Sequence, residues 1–219
     1  MEVPGGSRFM GPAIIIEFFG SMGLMLCVNI KQAWYAPALF YFMFYLMLGR
    51  ISGGHINPSV SLGVYTQQRK YIANLCYLVL LVIAQVLGAC FALAFGFLLR
   101  VSLPVPNTDP QTYYFIPDVK GMVPPILESA DGNPAYGQVM LAEIIGGMIF
   151  TMTVLYAKRF QYHYRYDRVV SAIPIPIALI GIYQTFGEIS GSDLNPATAL
   201  ASILWQNLTY QYDKNGKWS

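Results

Sequence analysis

The sequence predicts an all-α membrane protein, a bundle of five bilayer-crossing helices and two shorter helices that enter the bilayer and turn back. Three observations carry this. The 219 residues are 55% hydrophobic and only 11% charged, against about a quarter charged in an ordinary soluble domain. Apolar runs near the roughly 20 residues that cross a bilayer recur along the chain. A short Asn-Pro motif also occurs twice, as "SGGHINPS" (52–59) and "SGSDLNPAT" (190–198), late in each of two halves.

The runs fall at 12–30, 35–50, 71–99, 137–157 and 169–187. The first holds one carboxylate, Glu17, and lacks the basic start and small-residue cleavage site of a signal peptide. The second is short, and only "KQAWYAP" separates it from the first. The third has no charge in 29 residues and is the clearest span. The fourth carries Glu143, again one carboxylate in an apolar run. Backbone groups in hydrocarbon must bond internally, and runs of this length do so as helices rather than as a barrel. Segment 101–136 is expected to be an outer connecting loop. A third Asn-Pro-Ala at 133–135 directly precedes the fourth span, where a cap and a first-turn proline explain it. Cys27, Cys76 and Cys90 all lie inside spans and read as small buried apolar residues.

Basic residues set the orientation. Arg8, Arg50, Arg69, Lys70, Lys158, Arg159, Arg165 and Arg168 fall on one side of this topology. Lys31, Arg100, Lys120, Lys214 and Lys217 fall on the other. The N-terminus and the loop "AKRFQYHYRYDR" are therefore placed on the cytoplasmic or equivalent side. A formal net charge of +2 points to no nucleic-acid partner. Two histidines, no paired Cys/His spacing, no phosphate-binding loop and no nucleophile elbow leave nothing for catalysis, a metal or a cofactor.

The two halves, 10–100 and 137–219, repeat one plan in a single membrane domain. Each starts with an apolar helix holding one Glu and ends in a Gly/Ser-rich loop with Asn-Pro. Glu17 precedes Asn57 by 40 residues, and Glu143 precedes Asn195 by 52. An odd number of spans between the repeats inverts the second. Asn is a preferred N-cap and Pro fits the first helical position. Residues 57–66 and 195–205 are therefore each expected to be a helix starting at Asn and too short to span. Irregular chain leading into such helices is tolerated only against protein or a water-filled cavity. Two half-helices would enter from opposite faces with their N-termini meeting near the midplane.

Two Asn-Pro boxes on inverted repeats, Glu in the first and fourth spans, and "AQVLGA" in the third resemble the aquaporin (major intrinsic protein) family over roughly residues 10–205. The resemblance implies an aquaporin-like right-handed bundle that passes water or a small neutral solute in single file, as a homotetramer in the lipid bilayer. It implies pore-lining roles for Asn57, Asn195 and His55, and loop-supporting roles for Glu17, Glu143 and Gln85. It places an outer filter at Pro37, Tyr183, Ser192 and Thr198. Small residues (Gly20, Ser21, Gly23, Gly88, Ala89, Gly146 and Gly147) would let helices approach closely.

The chain departs from the family in four places. Ser59 replaces the usual Ala of the first box. Thr198 stands where the family usually has Arg, which removes a fixed positive charge and weakens cation exclusion. The Glu17-to-Asn57 interval is short. After the second box 22 residues remain, ending in the polar "QNLTYQYDKNGKWS", so the sixth span of the family is expected to be missing from this chain, leaving the second repeat truncated. These departures raise an alternative, a pore-inactive aquaporin-like structural subunit of a larger heteromeric membrane complex.

Overall fold

The computed structural model describes residues 10–30, 35–69, 71–101, 136–164 and 168–213. They form eight helices: α1 (Met10–Ile30), α2 (Ala36–Ser52), α3 (Pro58–Gln68), α4 (Tyr71–Val101), α5 (Tyr136–Tyr164), α6 (Arg168–Ala172), α7 (Pro174–Ser190) and α8 (Pro196–Asp213). By length and composition, α1, α4, α5 and the Val169–Ser190 stretch are long and apolar enough to cross a bilayer, while α2 and the apolar part of α8 are shorter. The chain is an integral, multi-pass membrane protein. Most of the expected outer loop, including Asn133–Ala135, lies outside the described residues.

Three boundaries differ from the sequence reading. The fifth span is two helices, because Pro174 and Pro176 break the ladder after Ala172 and restart it at the first turn of α7. The "AKRFQYHYRYDR" stretch is helical through Tyr164, since no Gly or Pro stops α5 there. The second half-helix runs to Asp213 rather than 205, again with no breaker between.

The half-helices pack against one helix pair from its two ends. α1 and α4 form the central pair. Their crossing is close because Gly88 has no side chain: a Cβ there would lie 2.2 Å from the carbonyl oxygen of Phe18. α3 joins this pair through Val64 against Ala13, Tyr77 and Leu81. α8 joins it at the other end through Ala201 against Met25, Ala89 and Leu93. A third cluster ties α2 to the second repeat through Tyr41, Phe150, Val154, Ile175 and Ile182, and includes the loop residues Ile56 and Leu194.

Gly20, Gly23 and Gly146 also sit where a Cβ would strike a neighbouring side chain. Gly147 makes no such close approach among the described residues, where nothing lies within 4 Å of its would-be Cβ. Outward faces are apolar, as lipid contact requires: Ile72, Leu75, Val79, Ile83 and Leu87 make such a stripe on α4. Cys76 belongs to this stripe and is exposed rather than buried. All three cysteines are free thiols.

Candidate functional site

Both Asn-Pro loops are built alike. α2 ends at Gly53 (φ +95°), whose N–H bonds to the Gly49 carbonyl at 3.0 Å. α7 ends at Gly191 (φ +79°), whose N–H bonds to Gly187 at 2.9 Å. These left-handed ends reverse the chain into the bundle, which glycine allows without a Cβ penalty. A serine then braces each turn: Ser52 Oγ accepts from the Gly54 N–H at 3.0 Å, and Ser190 Oγ from the Ser192 N–H at 3.1 Å.

The next residues run through a backbone conformation that side chains disfavour. Ile56 has φ +36°, Ser192 +54° and Leu194 +53°. A β-branched residue at positive φ is a real outlier. Such strain persists only where surrounding bonds over-determine it, and here a carboxylate in each repeat does so. Glu17, fully buried on α1, accepts from the His55 N–H (2.8 Å), the Ile56 N–H (2.5 Å) and Gln85 Nε2 (2.9 Å). Glu143 on α5 accepts from the Asp193 N–H (3.1 Å) and the Leu194 N–H (2.8 Å). Gln85 also donates to Ser61 Oγ at 2.9 Å, which lies 3.2 Å from His55 Nδ1. The Tyr41 hydroxyl secures the first loop from α2, donating to the His55 carbonyl at 2.6 Å.

With the loops fixed, the two asparagines face each other across the repeats. Asn57 Oδ1 accepts from the Ser59 N–H at 2.8 Å, and Asn195 Oδ1 from the Ala197 N–H at 3.0 Å. Each thereby caps the helix that its proline begins. Asn57 Nδ2 donates to the Leu194 carbonyl at 3.0 Å, and Asn195 Nδ2 to the Ile56 carbonyl at 3.0 Å. The exchange is reciprocal, and it fixes which amide atom is oxygen in both. Each Nδ2 carries two hydrogens and uses one. The strained carbonyls of Ile56 and Leu194 are the acceptors, so the positive φ values turn those carbonyls toward the opposite asparagine.

At the outer loop Ser192, fully buried, donates from Oγ to the Ile182 carbonyl at 3.3 Å, beside Tyr183. Thr198 is buried and hydrogen-bonds to the Asp193 carboxylate. Its Oγ1 also lies 2.9 Å from the Asn195 carbonyl. Tyr183, Ser192 and Thr198 are thus gathered around one loop, with Asp193 among them. Pro37 is buried in the first turn of α2. No Lys or Arg occurs between Arg168 and Lys214.

Several members of this constellation give no signal in the sequence. Tyr41, Ser61 and the Ile56 and Leu194 carbonyls are unremarkable in type and far in sequence from what they touch. Among the described residues no group of three or more His, Cys, Asp or Glu is arranged to hold a metal. One flank is open. A cavity of about 600 Å³ runs along α5, lined among others by Glu143, Gly147, Met148, Leu194 and Asn195.

Comparison with known proteins agrees with this architecture. The model of the Major intrinsic protein family matches residues 8–207. Aquaporin AqpM of Methanothermobacter marburgensis is 29% identical over 204 residues, which is 93% of this chain and 72% of that protein. Aquaporin PIP2-4 of Zea mays is 29% identical over 185 residues, 83% of this chain and 57% of that protein. The crystal structure of the aquaglyceroporin from Plasmodium falciparum superposes with a TM-score of 0.66 at 19% identity, covering 94% of this chain and 86% of that one.

Proposed function

The chain belongs to the major intrinsic protein family, and from that premise we propose that it conducts water or small neutral solutes in single file past Asn57 and Asn195. The observation that carries this reading is the reciprocal pair of Asn-to-carbonyl hydrogen bonds. It holds the N-termini of α3 and α8 face to face, with one amide hydrogen of each asparagine still unused.

The arrangement suits a neutral solute. Two helix N-termini aimed at one point supply roughly half an elementary charge each. That field disfavours a cation at the midpoint and favours an oxygen lone pair. The two remaining Nδ2 hydrogens donate to the passing oxygen, whose own hydrogens then point away along the file. A water held in this way neither receives nor relays a proton, which interrupts a proton wire. His55 lines the inner approach. Pro37, Tyr183, Ser192 and Thr198 form the outer constriction. Glu17, Glu143 and Gln85 hold the loops in register. The working unit is one domain of two repeats, 10–100 and 137–219, assembled as a homotetramer.

Stopped-flow shrinkage of reconstituted vesicles tests the proposal. The expected result is a water permeability well above that of empty vesicles. Permeability at the empty-vesicle level, in protein shown to be inserted, refutes it. The cavity along α5, lined among the described residues by Glu143 and Asn195, supports a second reading, a non-conducting subunit of a heteromeric complex in which a partner's apolar helix fills it. That reading requires the same experiment to fail.

A further inference from the structure

Lys158 plays no part in the loop scaffold described above, yet its side chain ends beside it. It follows the packed Ala157 on α5 and is half-buried. A Cβ built on Gly53 would lie 2.8 Å from His55 Nε2 and 3.4 Å from Lys158 Nζ. The ammonium and the imidazole therefore share one small space, where α2 ends and the chain turns in toward Asn57. Glu17, the carboxylate that anchors this loop, is already engaged by three donors. Lys158 Nζ thus lies at the turn that leads into the first loop.

The other end of the route is built differently. Its loop carries the Asp193 carboxylate bonded to Thr198, and α7 and α8 contain no Lys or Arg. Nothing basic in that stretch turns back a cation. Arg50, the basic residue of α2, is exposed at the end of its helix.

Resting on the reading of an open route past the Asn pair, we infer that Lys158 is a second cation barrier of the pore, a specificity-determining residue at the inner mouth in series with the two helix N-termini. A monovalent cation that overcomes the field of the helix N-termini at the Asn pair then meets the Lys158 side chain in a confined space beside His55. A unit charge a few ångström away in such surroundings slows a cation by about a hundredfold or more. Neutral solutes do not feel this repulsion.

The test measures potassium efflux and osmotic water flux on the same vesicles holding the full chain, its Lys158→Gln variant and its Lys158→Arg variant. The unmodified protein is expected to pass water while its potassium efflux stays at the empty-vesicle level. Lys158→Gln raises potassium efflux at least about tenfold with water flux still above that of empty vesicles, and Lys158→Arg keeps the barrier. If Lys158→Gln passes water but leaks no more potassium than the unmodified protein, the inference is overturned and the channel reading stands. If Lys158→Arg leaks as Lys158→Gln does, packing rather than charge makes the barrier, and the inference is likewise overturned. Absent water flux through the unmodified protein refutes the open route, and the inference falls with it.

Discussion

Replacing Glu17 by Gln is expected to unseat the first loop, and the size of the effect follows from the bonds that Glu17 makes. Its two oxygens accept three hydrogen bonds at zero solvent exposure. Glutamine keeps one oxygen, so one of the His55 and Ile56 N–H groups meets an NH₂ group instead of an acceptor. An orphaned buried N–H costs about 1–3 kcal/mol, and the surviving bonds lose the extra strength that a charged acceptor gives. Gln85 Oε1 has no partner and can turn to accept from the new amide. That turn gives up the Gln85 Nε2 bond to Ser61, so the rescue is partial. A net loss of about 2–4 kcal/mol remains. Holding Ile56 at φ +36° costs on the order of 1–3 kcal/mol. The loss therefore matches the strain it had opposed, and Ile56 relaxes, taking its carbonyl away from Asn195. Thermal unfolding in detergent should show a midpoint lower by on the order of 10 °C, and water flux per inserted chain should fall severalfold or more. Glu143→Gln should do less, because Glu143 accepts two bonds at a part-exposed site. An unfolding midpoint for Glu17→Gln equal to that of the unmodified protein, or a larger drop for Glu143→Gln, would refute the reasoning.

Two glycines make a matched comparison. Gly88→Ala sets a Cβ 2.2 Å from a backbone oxygen of α1 and should lower the unfolding midpoint clearly, whereas Gly147→Ala meets nothing and should raise stability by up to about 1 kcal/mol through helix propensity. Asn195→Ala removes the α8 cap and leaves the Ile56 carbonyl without its donor. The expected cost is about 2 kcal/mol, read by chemical unfolding, together with reduced water flux. Thr198→Val strips the Asp193 carboxylate of its hydroxyl donor and should destabilise by about 1–3 kcal/mol, while Thr198→Ser should stay close to the unmodified protein. An equal loss in both would show that the methyl group, not the hydroxyl, is what matters there.

What the sequence revealed of this site divides along the range of the interactions. The caps at Asn57 and Asn195 depend on residues two positions away, so the Asn-Pro pattern alone locates both helix starts. The outward stripe of α4 and the single carboxylates of the first and fourth spans are likewise local facts of composition. The bonds that make the two loops one site join residues 137 and 139 positions apart, and no local pattern encodes them. Ile56 is the sharper case. Its side chain argues against the backbone it adopts, and only the tertiary bonds from Glu17 and Asn195 make that conformation worth holding. Lys158 shows the same limit for charge. By count it is one basic residue among eight on the inner side, and in that role it only orients the chain. Because α5 continues past it instead of ending in a loop, its ammonium is carried inward to Gly53 and His55. The helix extension, which composition did not foretell, brings a topological marker next to the first Asn-Pro loop. Loop 191–195 and the helices α7 and α8 beside it carry no Lys or Arg, so the two Asn-Pro loops differ in their charged neighbours. Under the proposed channel reading, the difference between the two ends therefore adds to what the Asn-Pro boxes, which are nearly alike, contribute.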